Sequence, residues 1–173
     1  MSNPLPVVVG LGANLGPRRR TLQSAVTELR ALSVPAAPFR ISSLFETEPV
    51  GPAQPMFLNA AVLLSVALEP LDLLDRLQAI EHRHGRVRDV HWGPRTLDLD
   101  VLWIDGVAVD HARLRVPHPE LPHRAFALLP LLEVRPDALT PEGQPLEAIA
   151  AFLSPGGITR VEGPEWGMTA SEL

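Results

Sequence analysis

Two aspartates lie two residues apart within an apolar stretch, L-D-L-D-V-L-W-I at 97–104. Strict alternation of side chains predicts a strand on which Asp98 and Asp100 share a face with Leu102 and Ile104, their Cα atoms roughly 6.5–7 Å apart. Adjacent carboxylates repel each other unless a proton or a cation lies between them. Mg²⁺ suits the pair, because proteins usually hold this ion with one or two carboxylates and leave the other positions to waters and substrate phosphates.

A lone D-x-D is more often a solvated strand face than a metal site. Two features favour the metal here. The apolar flanks place the charges on a core strand, where a charge without a partner is costly, and Arg95 comes just before the strand with a planar fork that matches two phosphate oxygens. Gly93 and Pro94 predict a tight entry to the strand, and Trp92 offers a flat ring.

The cationic side chains are all arginine, fifteen in number. The absence of lysine excludes a Walker-type lysine, a kinase-type lysine and a Schiff base. A net charge of −5 disfavours nucleic acid as a partner, and without cysteine there is no thiolate or disulfide chemistry. No apolar run has the length of a membrane span and no signal-peptide pattern is visible, so we expect a cytoplasmic protein with no membrane partner.

Hydrophobic periodicity predicts an α+β protein with the order strand, helix, strand, strand, helix, strand. This order is that of a ferredoxin-like βαββαβ core with an antiparallel sheet, which C-terminal helices would extend to a three-layer α/β/α sandwich. We expect a single domain over 1–160 and a loosely ordered tail over 161–173. The predicted strands are 5–11, 39–47, 57–68 and 97–104. The first predicted helix ends near Leu32, and the other three cover 70–84, 123–132 and 146–153. The segment 113–122 is predicted to be irregular.

Some polar patterns leave two explanations open. Gln78 and Glu81 fall within the apolar arc of the second helix, which indicates either a frayed edge or a functional pair. The glycines of G-L-G-A-N-L-G at 10–16 do not have dinucleotide-loop spacing and predict a tight strand-to-helix turn. Histidines at 82, 84, 91 and 111 match no standard zinc spacing, so we interpret them as surface residues.

The stretch G-P-R-T-L-D-L-D-V-L at 93–102 resembles the signature of the 6-hydroxymethyl-7,8-dihydropterin pyrophosphokinase family. Similar pieces occur at 10–16, 51–62 (G-P-A-Q-P-M-F-L-N-A-A-V), 78–81 (Q-A-I-E), 85–88 (G-R-V-R) and 116–126. The resemblance implies a three-layer α/β/α fold and an enzyme of folate biosynthesis. In such enzymes the pterin hydroxymethyl oxygen attacks the β-phosphorus of ATP, AMP leaves, and paired aspartates hold two Mg²⁺ ions.

The resemblance also implies site residues. The catalytic positions are Arg95, Asp98, Asp100 and Arg86, and the metal ligands are Asp98 and Asp100, either of which could also help to deprotonate the hydroxyl. ATP-binding positions are Gln78, Glu81, Arg86, Arg88, Trp92, Arg95, Val101, Arg113, Arg115, His118 and Arg124. Pterin-binding positions are Thr47, Glu48, Val50, Phe57, Asn59, Trp92 and Phe126.

Residue chemistry bears on these roles separately. Aromatic rings stack on a flat pterin, and an amide such as that of Asn59 gives and accepts hydrogen bonds. For Phe57 and Phe126, however, residue type alone favours core filling. The loops at 47–56 and 85–95 would act as lids that exclude water. Glu48 stands where proline is common in the family, and Arg115 replaces a small hydroxyl residue; these departures bear on loop rates and adenine contacts.

Two rival functions use the same features. A Mg²⁺-dependent nucleotidyltransferase or nuclease could use the carboxylate pair, although the acidic balance speaks against it. A ferredoxin-like regulatory module could bind a small ligand, but it needs no aspartate pair beside an arginine. We expect an enzyme that acts as a monomer on ATP and the hydroxymethyl-dihydropterin.

Overall fold

One antiparallel sheet forms the centre of the described chain, which comprises residues 3–49, 53–85 and 96–173 of a computed structural model. Its strands run in the order β5-β1-β4-β3-β8, and the short β2 also pairs with β4. Their bounds are β1 Leu5–Ala13, β2 Arg40–Ile41, β3 Leu44–Thr47, β4 Phe57–Val66, β5 Asp98–Ile104 and β8 Ile158–Glu162. A separate hairpin pairs β6 (Val109–His111) with β7 (Leu114–Val116).

The helices pack on both faces of this sheet. Helices α1 (Arg18–Leu32) and α2 (Pro70–Arg83) cover one face, whereas α3 (Ala125–Val134) and α4 (Leu146–Ala150) belong to a second cluster on the other face. Strand β4 is buried along almost its whole length because it has helices on both sides. The predicted order strand, helix, strand, strand, helix, strand is confirmed up to β5, with β2 and β3 together in the place of the predicted second strand. The antiparallel pairing of that strand with the next one, β4, is also confirmed.

Strand β5 departs from strict alternation at a bulge. Val9 pairs with Val101, but Val8 pairs with Trp103, so that Leu102 is the extra residue on β5. Leu102 and Trp103 therefore both pack in the α3 cluster, and Ile104 joins the opposite one. The predicted common face of Asp98, Asp100, Leu102 and Ile104 is thus wrong at its last member, because the bulge reverses the alternation.

Serine side chains interrupt the predicted second strand. The run 39–47 divides into β2 and β3 at Ser42 and Ser43. The Ser42 hydroxyl accepts the Ala61 N–H at 2.8 Å, and the Ser43 N–H donates to the Glu133 carboxylate at 2.6 Å. Side chains thus replace part of the backbone ladder, although the Ser42 N–H still donates to the Ala61 carbonyl at 2.9 Å.

The C-terminal segment differs most from expectation. A loosely ordered tail is predicted over 161–173, whereas Ile158–Glu162 form β8 and Pro164–Gly167 form a 3₁₀ turn in which Trp166 is 1% exposed. Likewise the segment 113–122, predicted to be irregular, contains β7 and a 3₁₀ turn at Leu121–His123. None of the described helices is both long and apolar enough to span a bilayer.

Candidate active site

Glycines on β1 open a space beside the aspartates of β5. Gly12 pairs with Asp98 on one side and with Asn59 of β4 on the other, and Gly10 pairs with Asp100. A Cβ on Gly12 would lie 2.9 Å from Asn59 Oδ1, which is closer than real Cβ contacts. The absence of a side chain at Gly12 therefore makes room for the Asn59 amide, and both residues line one cleft together with Asp98. The sequence predicts Gly10 at the end of a strand and Gly12 in the turn that follows it, and it does not indicate this role for either glycine.

The first cleft lies over this space. Asn59 donates a hydrogen bond from Nδ2 to the Thr47 hydroxyl, so that β3 and β4 present an ordered polar wall. Phe57 and Phe126 provide half-buried rings. The five described residues predicted to bind the pterin, Thr47, Glu48, Phe57, Asn59 and Phe126, all line this cleft.

A second cleft continues from the first toward α2 and the β6–β7 hairpin. It contains every described residue predicted to bind ATP: Gln78, Glu81, Val101, Arg113, Arg115, His118 and Arg124. Arg113 Nη2 donates to Asp75 at 2.6 Å and to Gln78 Oε1 at 3.3 Å. Arg115 lies 3.6 Å from Asp110 and is well exposed.

Three charged residues line both clefts: Asp98, Asp100 and Arg124. Both aspartates are half-buried on the same side of β5. The Arg124 guanidinium lies 5.7 Å from the centre of the Phe126 ring, within the range of a cation–π contact. The junction of the two clefts thus carries the carboxylate pair and one cation.

Glu81 lies beneath this junction. It is 2% exposed, and its Oε2 accepts the N–H of Leu99, the residue between the two aspartates, at 2.8 Å. The two polar residues in the apolar arc of α2 therefore have different surroundings. Glu81 points inward to β5, whereas Gln78 is half-buried at the second cleft and accepts a hydrogen bond from Arg113. A frayed helix edge does not account for Glu81, because its carboxylate has a specific main-chain partner.

His118 lies at the other side of the second cleft. Its main-chain N–H donates to the carbonyl of Leu102, the bulged residue, at 2.9 Å. Its Nδ1 accepts the Glu120 N–H at 3.1 Å, which assigns the proton of the neutral ring to Nε2. Burial lowers the pKa of His118 below its ordinary value and Arg124 adds to this effect, while Asp98 and Glu120 oppose it.

The donor set at the junction fits magnesium. No group of three or more histidine, cysteine or acidic side chains arranged for a metal occurs among the described residues. The junction offers two carboxylates, which matches an ion that takes one or two of them and completes its coordination with phosphates and waters.

The histidines that the sequence places on the surface are exposed at positions 82 and 111. His84, the residue after α2, forms a hydrogen bond between its Nδ1 and the Ile80 carbonyl at 2.8 Å.

Several predicted site residues lie outside the described ranges. These are Val50 of the first loop and Arg86, Arg88, Trp92 and Arg95 of the second, together with His91. Their predicted roles stay predictions.

The sequence matches the family model described as 7,8-dihydro-6-hydroxymethylpterin-pyrophosphokinase (HPPK) over residues 8–136. A relative from Pseudomonas aeruginosa, named 2-amino-4-hydroxy-6-hydroxymethyldihydropteridine pyrophosphokinase, is 44% identical over 158 residues, which cover 91% of this chain and 97% of the relative. A protein of the same name from Synechocystis is 46% identical over 134 residues, covering 78% of this chain and 68% of that protein.

The fold is similar to that of solved HPPK-DHPS proteins. One structure, an HPPK-DHPS in complex with substrates, superposes with a TM-score of 0.66 at 12% identity and covers 87% of this chain. The Plasmodium falciparum HPPK-DHPS triple mutant with pteroate gives a TM-score of 0.63 at 14% identity over 86% of this chain. This chain spans only 43% of each of those longer chains, so the likeness concerns the fold alone.

The fold, the two joined clefts and the relatives define an enzyme of the diphosphotransferase class. The chain belongs to the 7,8-dihydro-6-hydroxymethylpterin-pyrophosphokinase (HPPK) family. It is an ATP-dependent pyrophosphokinase of folate biosynthesis, and ATP is the co-substrate of its family, generally with Mg²⁺. The family resemblance drawn from the sequence is confirmed.

Proposed function

We propose that the enzyme transfers the pyrophosphoryl group of ATP to the hydroxymethyl group of 6-hydroxymethyl-7,8-dihydropterin and releases AMP. One observation carries this proposal: a cleft with rings and an amide meets a cleft with arginines and a histidine at Asp98, Asp100 and Arg124. Two substrates bound one in each cleft would bring their reacting groups together at that junction. Such positioning removes much of the entropic cost of a reaction between two molecules.

The first cleft fits the pterin. The rings of Phe57 and Phe126 offer faces for a flat bicycle, and Asn59 supplies an amide whose orientation is set by its bond to Thr47. Glu48 and, from the resemblance, Val50 lie in the segment that would reach the pterin edge. The small residues Gly10 and Gly12 leave the floor of the cleft open.

The second cleft fits the nucleotide. Arg113, Arg115 and Arg124 can neutralise phosphate charge, and His118 keeps its Nε2–H available as a donor because Nδ1 already accepts a main-chain hydrogen bond. Gln78 and Val101 line the same cleft, and Glu81 supports it from below through Leu99. Arg86, Arg88, Trp92 and Arg95 are proposed to bind the nucleotide on the strength of the resemblance.

Asp98 and Asp100 are proposed to hold two Mg²⁺ ions. When bound, such ions neutralise charge on the triphosphate oxygens and orient attacking and leaving oxygens. In the transfer itself, the hydroxymethyl oxygen forms a bond to the β-phosphorus while the bond from this phosphorus to the α,β-bridging oxygen breaks in line, and AMP departs with that oxygen. The proton of the hydroxyl passes to a carboxylate at the junction, Asp98 or Asp100.

The architecture is proposed to be a ferredoxin-like core extended to a three-layer α/β/α sandwich. The strand order β5-β1-β4-β3 and the two helix layers support it. Action as a monomer on these two small molecules stays a prediction.

A product assay tests the proposed function. The chain is incubated with Mg²⁺ and ATP, with and without 6-hydroxymethyl-7,8-dihydropterin, and the nucleotide products are separated. AMP formed only when the pterin is present supports the proposal. ADP as product would indicate transfer of a single phosphoryl group, free pyrophosphate would indicate nucleotidyl transfer, and no turnover would overturn the proposal.

A further inference from the structure

Strand β3, which ends at Thr47 just before Glu48, is short and is held by the strands on its two edges. Strand β3 has only four residues, and three of them, Phe45 to Thr47, pair with β4. Its opposite edge pairs with β8 from Leu44↔Glu162 to Thr47↔Ile158. The β3–β8 pairing thus holds a wall of the first cleft from the side that faces away from the ligand.

The last contact of this pairing reaches the rim of the cleft. The Glu48 N–H donates to the Gly157 carbonyl at 3.1 Å. Gly157 has φ +79°, and a Cβ built on it would lie 3.2 Å from Glu48 Oε2. The glycine therefore lets the Glu48 side chain lie against the chain just before β8.

The C-terminal segment is itself fastened to the rest of the molecule. Buried Trp166 donates from Nε1 to the Ser42 carbonyl at 2.8 Å, and its own carbonyl accepts from Gln23 of α1 at 2.7 Å. Arg160 donates to the Ser43 hydroxyl at 2.7 Å. Arg19 of α1 makes two hydrogen bonds to Glu162, at 2.7 and 2.9 Å. These contacts fix the second half of β8 and the turn after it against α1 and against the Ser42–Ser43 break that precedes β3.

We propose that the C-terminal segment 157–166 is a positioning element of the pterin site, which sets Thr47 and Glu48 through its pairing with β3. The segment lies beyond residues 8–136, the part of the chain that matches the family model. Among the described residues that line the first cleft, none belongs to this segment, so it acts through β3 and Glu48. Thr47 accepts a hydrogen bond from Asn59, and the position of the Asn59 amide therefore follows from that of β3. This inference rests on the proposed function, because the affected ligand is the pterin.

The test compares two glycine substitutions in the full chain. Gly157→Ala forces a side chain into a left-handed backbone position and against Glu48. Gly143→Ala forces the same strain, at φ +89°, where nothing lies within 4 Å of the added Cβ. Both variants should lose similar thermal stability, but only Gly157→Ala should weaken pterin binding.

Steady-state AMP formation is measured with the pterin varied at saturating ATP, and with ATP varied at saturating pterin. We expect Gly157→Ala to raise the KM for the pterin about tenfold, since small displacements of a binding group can cost up to about 100-fold, and to leave the KM for ATP within about twofold. Gly143→Ala should change neither KM. Equal changes in both KM values, no change in Gly157→Ala, or the same change in Gly143→Ala would each overturn the inference.

A second pair of variants keeps the inference testable if Gly157→Ala does not fold. Trp166→Phe keeps a ring but removes the donor to Ser42, and it should raise the KM for the pterin in the same selective way. Glu172→Gln removes the ion pair of Glu172 with Arg30, at 2.6 Å in the same terminal region, and should change neither KM. If the unmodified chain turns over but Trp166→Phe does not raise the KM for the pterin selectively, the inference is rejected and the proposed function stands. No turnover by the unmodified chain would reject the proposed function and, with it, this inference.

Discussion

The carboxylate of Glu81 and the main-chain N–H of Leu99 form a 2.8 Å hydrogen bond directly behind the two aspartates. Leu99 is 4% exposed, so its N–H has no ready access to water. The bond joins α2 to β5 at the point where Asp98 and Asp100 project to the other side of the sheet. Glu81 is therefore proposed to set the position of the aspartate pair rather than to contact the nucleotide.

Replacing Glu81 with methionine should destabilise the fold and slow turnover together. A buried N–H left without an acceptor costs about 1–3 kcal/mol, so the free energy of unfolding measured in urea should fall by that amount. Glu81→Gln keeps an acceptor oxygen and should lose less. Glu142→Met, on an exposed loop, serves as the control. Unchanged stability in Glu81→Met would contradict the positioning role.

Removing either carboxylate of the pair should nearly abolish transfer without unfolding the chain. Asp98→Ala and Asp100→Ala each delete a proposed metal ligand; with several kcal/mol of charge stabilisation lost, AMP formation should fall at least about 100-fold. Thermal unfolding should remain cooperative and near that of the unmodified chain. Chelation of Mg²⁺ by EDTA should have the same effect on activity.

Asp137→Asn is the matched control for these two variants. It removes an exposed carboxylate that pairs with Arg135 at 3.1 Å, remote from both clefts. Because exposed ion pairs contribute only about 0–1 kcal/mol, its activity and stability should stay near normal. If Asp98→Ala still formed AMP but unfolded at a much lower temperature, the aspartate would have a structural role.

The lowered pKa of His118 predicts a dependence of stability on pH. Burial and the nearby Arg124 cation disfavour the protonated ring in the folded chain. Protonation at Nδ1 would also remove the acceptor of the Glu120 N–H. Between the lowered pKa and the ordinary value of about 6.5, the unfolded chain binds more protons, so stability falls as the pH drops through this window. In metal-free protein, His118→Gln should show a smaller loss of stability between pH 7 and this acidic window.

The comparison is made by urea unfolding at each pH. His82→Gln changes an exposed histidine of α2 and should retain the pH dependence of the unmodified chain. An identical slope in His118→Gln and in the unmodified chain would show that the ring does not carry this proton linkage.

Adding a methyl group at Gly12 should selectively weaken pterin binding. The new Cβ would lie 2.9 Å from Asn59 Oδ1 and would force the amide to move. The KM for the pterin in Gly12→Ala should rise about tenfold or more, in line with the cost of displacing a binding group. Gly10→Ala places the same methyl group 3.0 Å from the flexible Leu102 side chain and should raise this KM less. Equal effects of the two substitutions would contradict the proposed role of Asn59.

Much of the site could be predicted because its residues lie on regular elements. The alternation of 97–104 placed both aspartates on one side of β5, and the run from Phe57 placed Phe57 and Asn59 on β4. The apolar arc of α2 singled out Glu81 because a carboxylate within a buried stripe needs a partner. Sequence could not identify that partner as the N–H of Leu99, since main-chain donors leave no trace in residue type.

The features of the fold that could not be predicted are those without a periodic signal in the sequence. A bulge at Leu102 inserts one residue into a pattern that otherwise has period two. Strand β8 reads I-T-R-V-E and pairs with one of the described strands, β3, so most of it is exposed and no apolar face marks it. Trp166 follows Gly163 and Pro164, residues that indicate a loop, and its burial depends on a distant partner, Ser42.

The position of β8 at the outer border of the sheet has a consequence for solubility. A bare strand border can pair with another molecule, and proteins discourage this with short, charged or irregular outer strands. Strand β8 is five residues long, carries Arg160 and Glu162, and is irregular opposite Leu44 and Phe45. It thereby covers the more regular β3 and should protect the chain from self-association through that border.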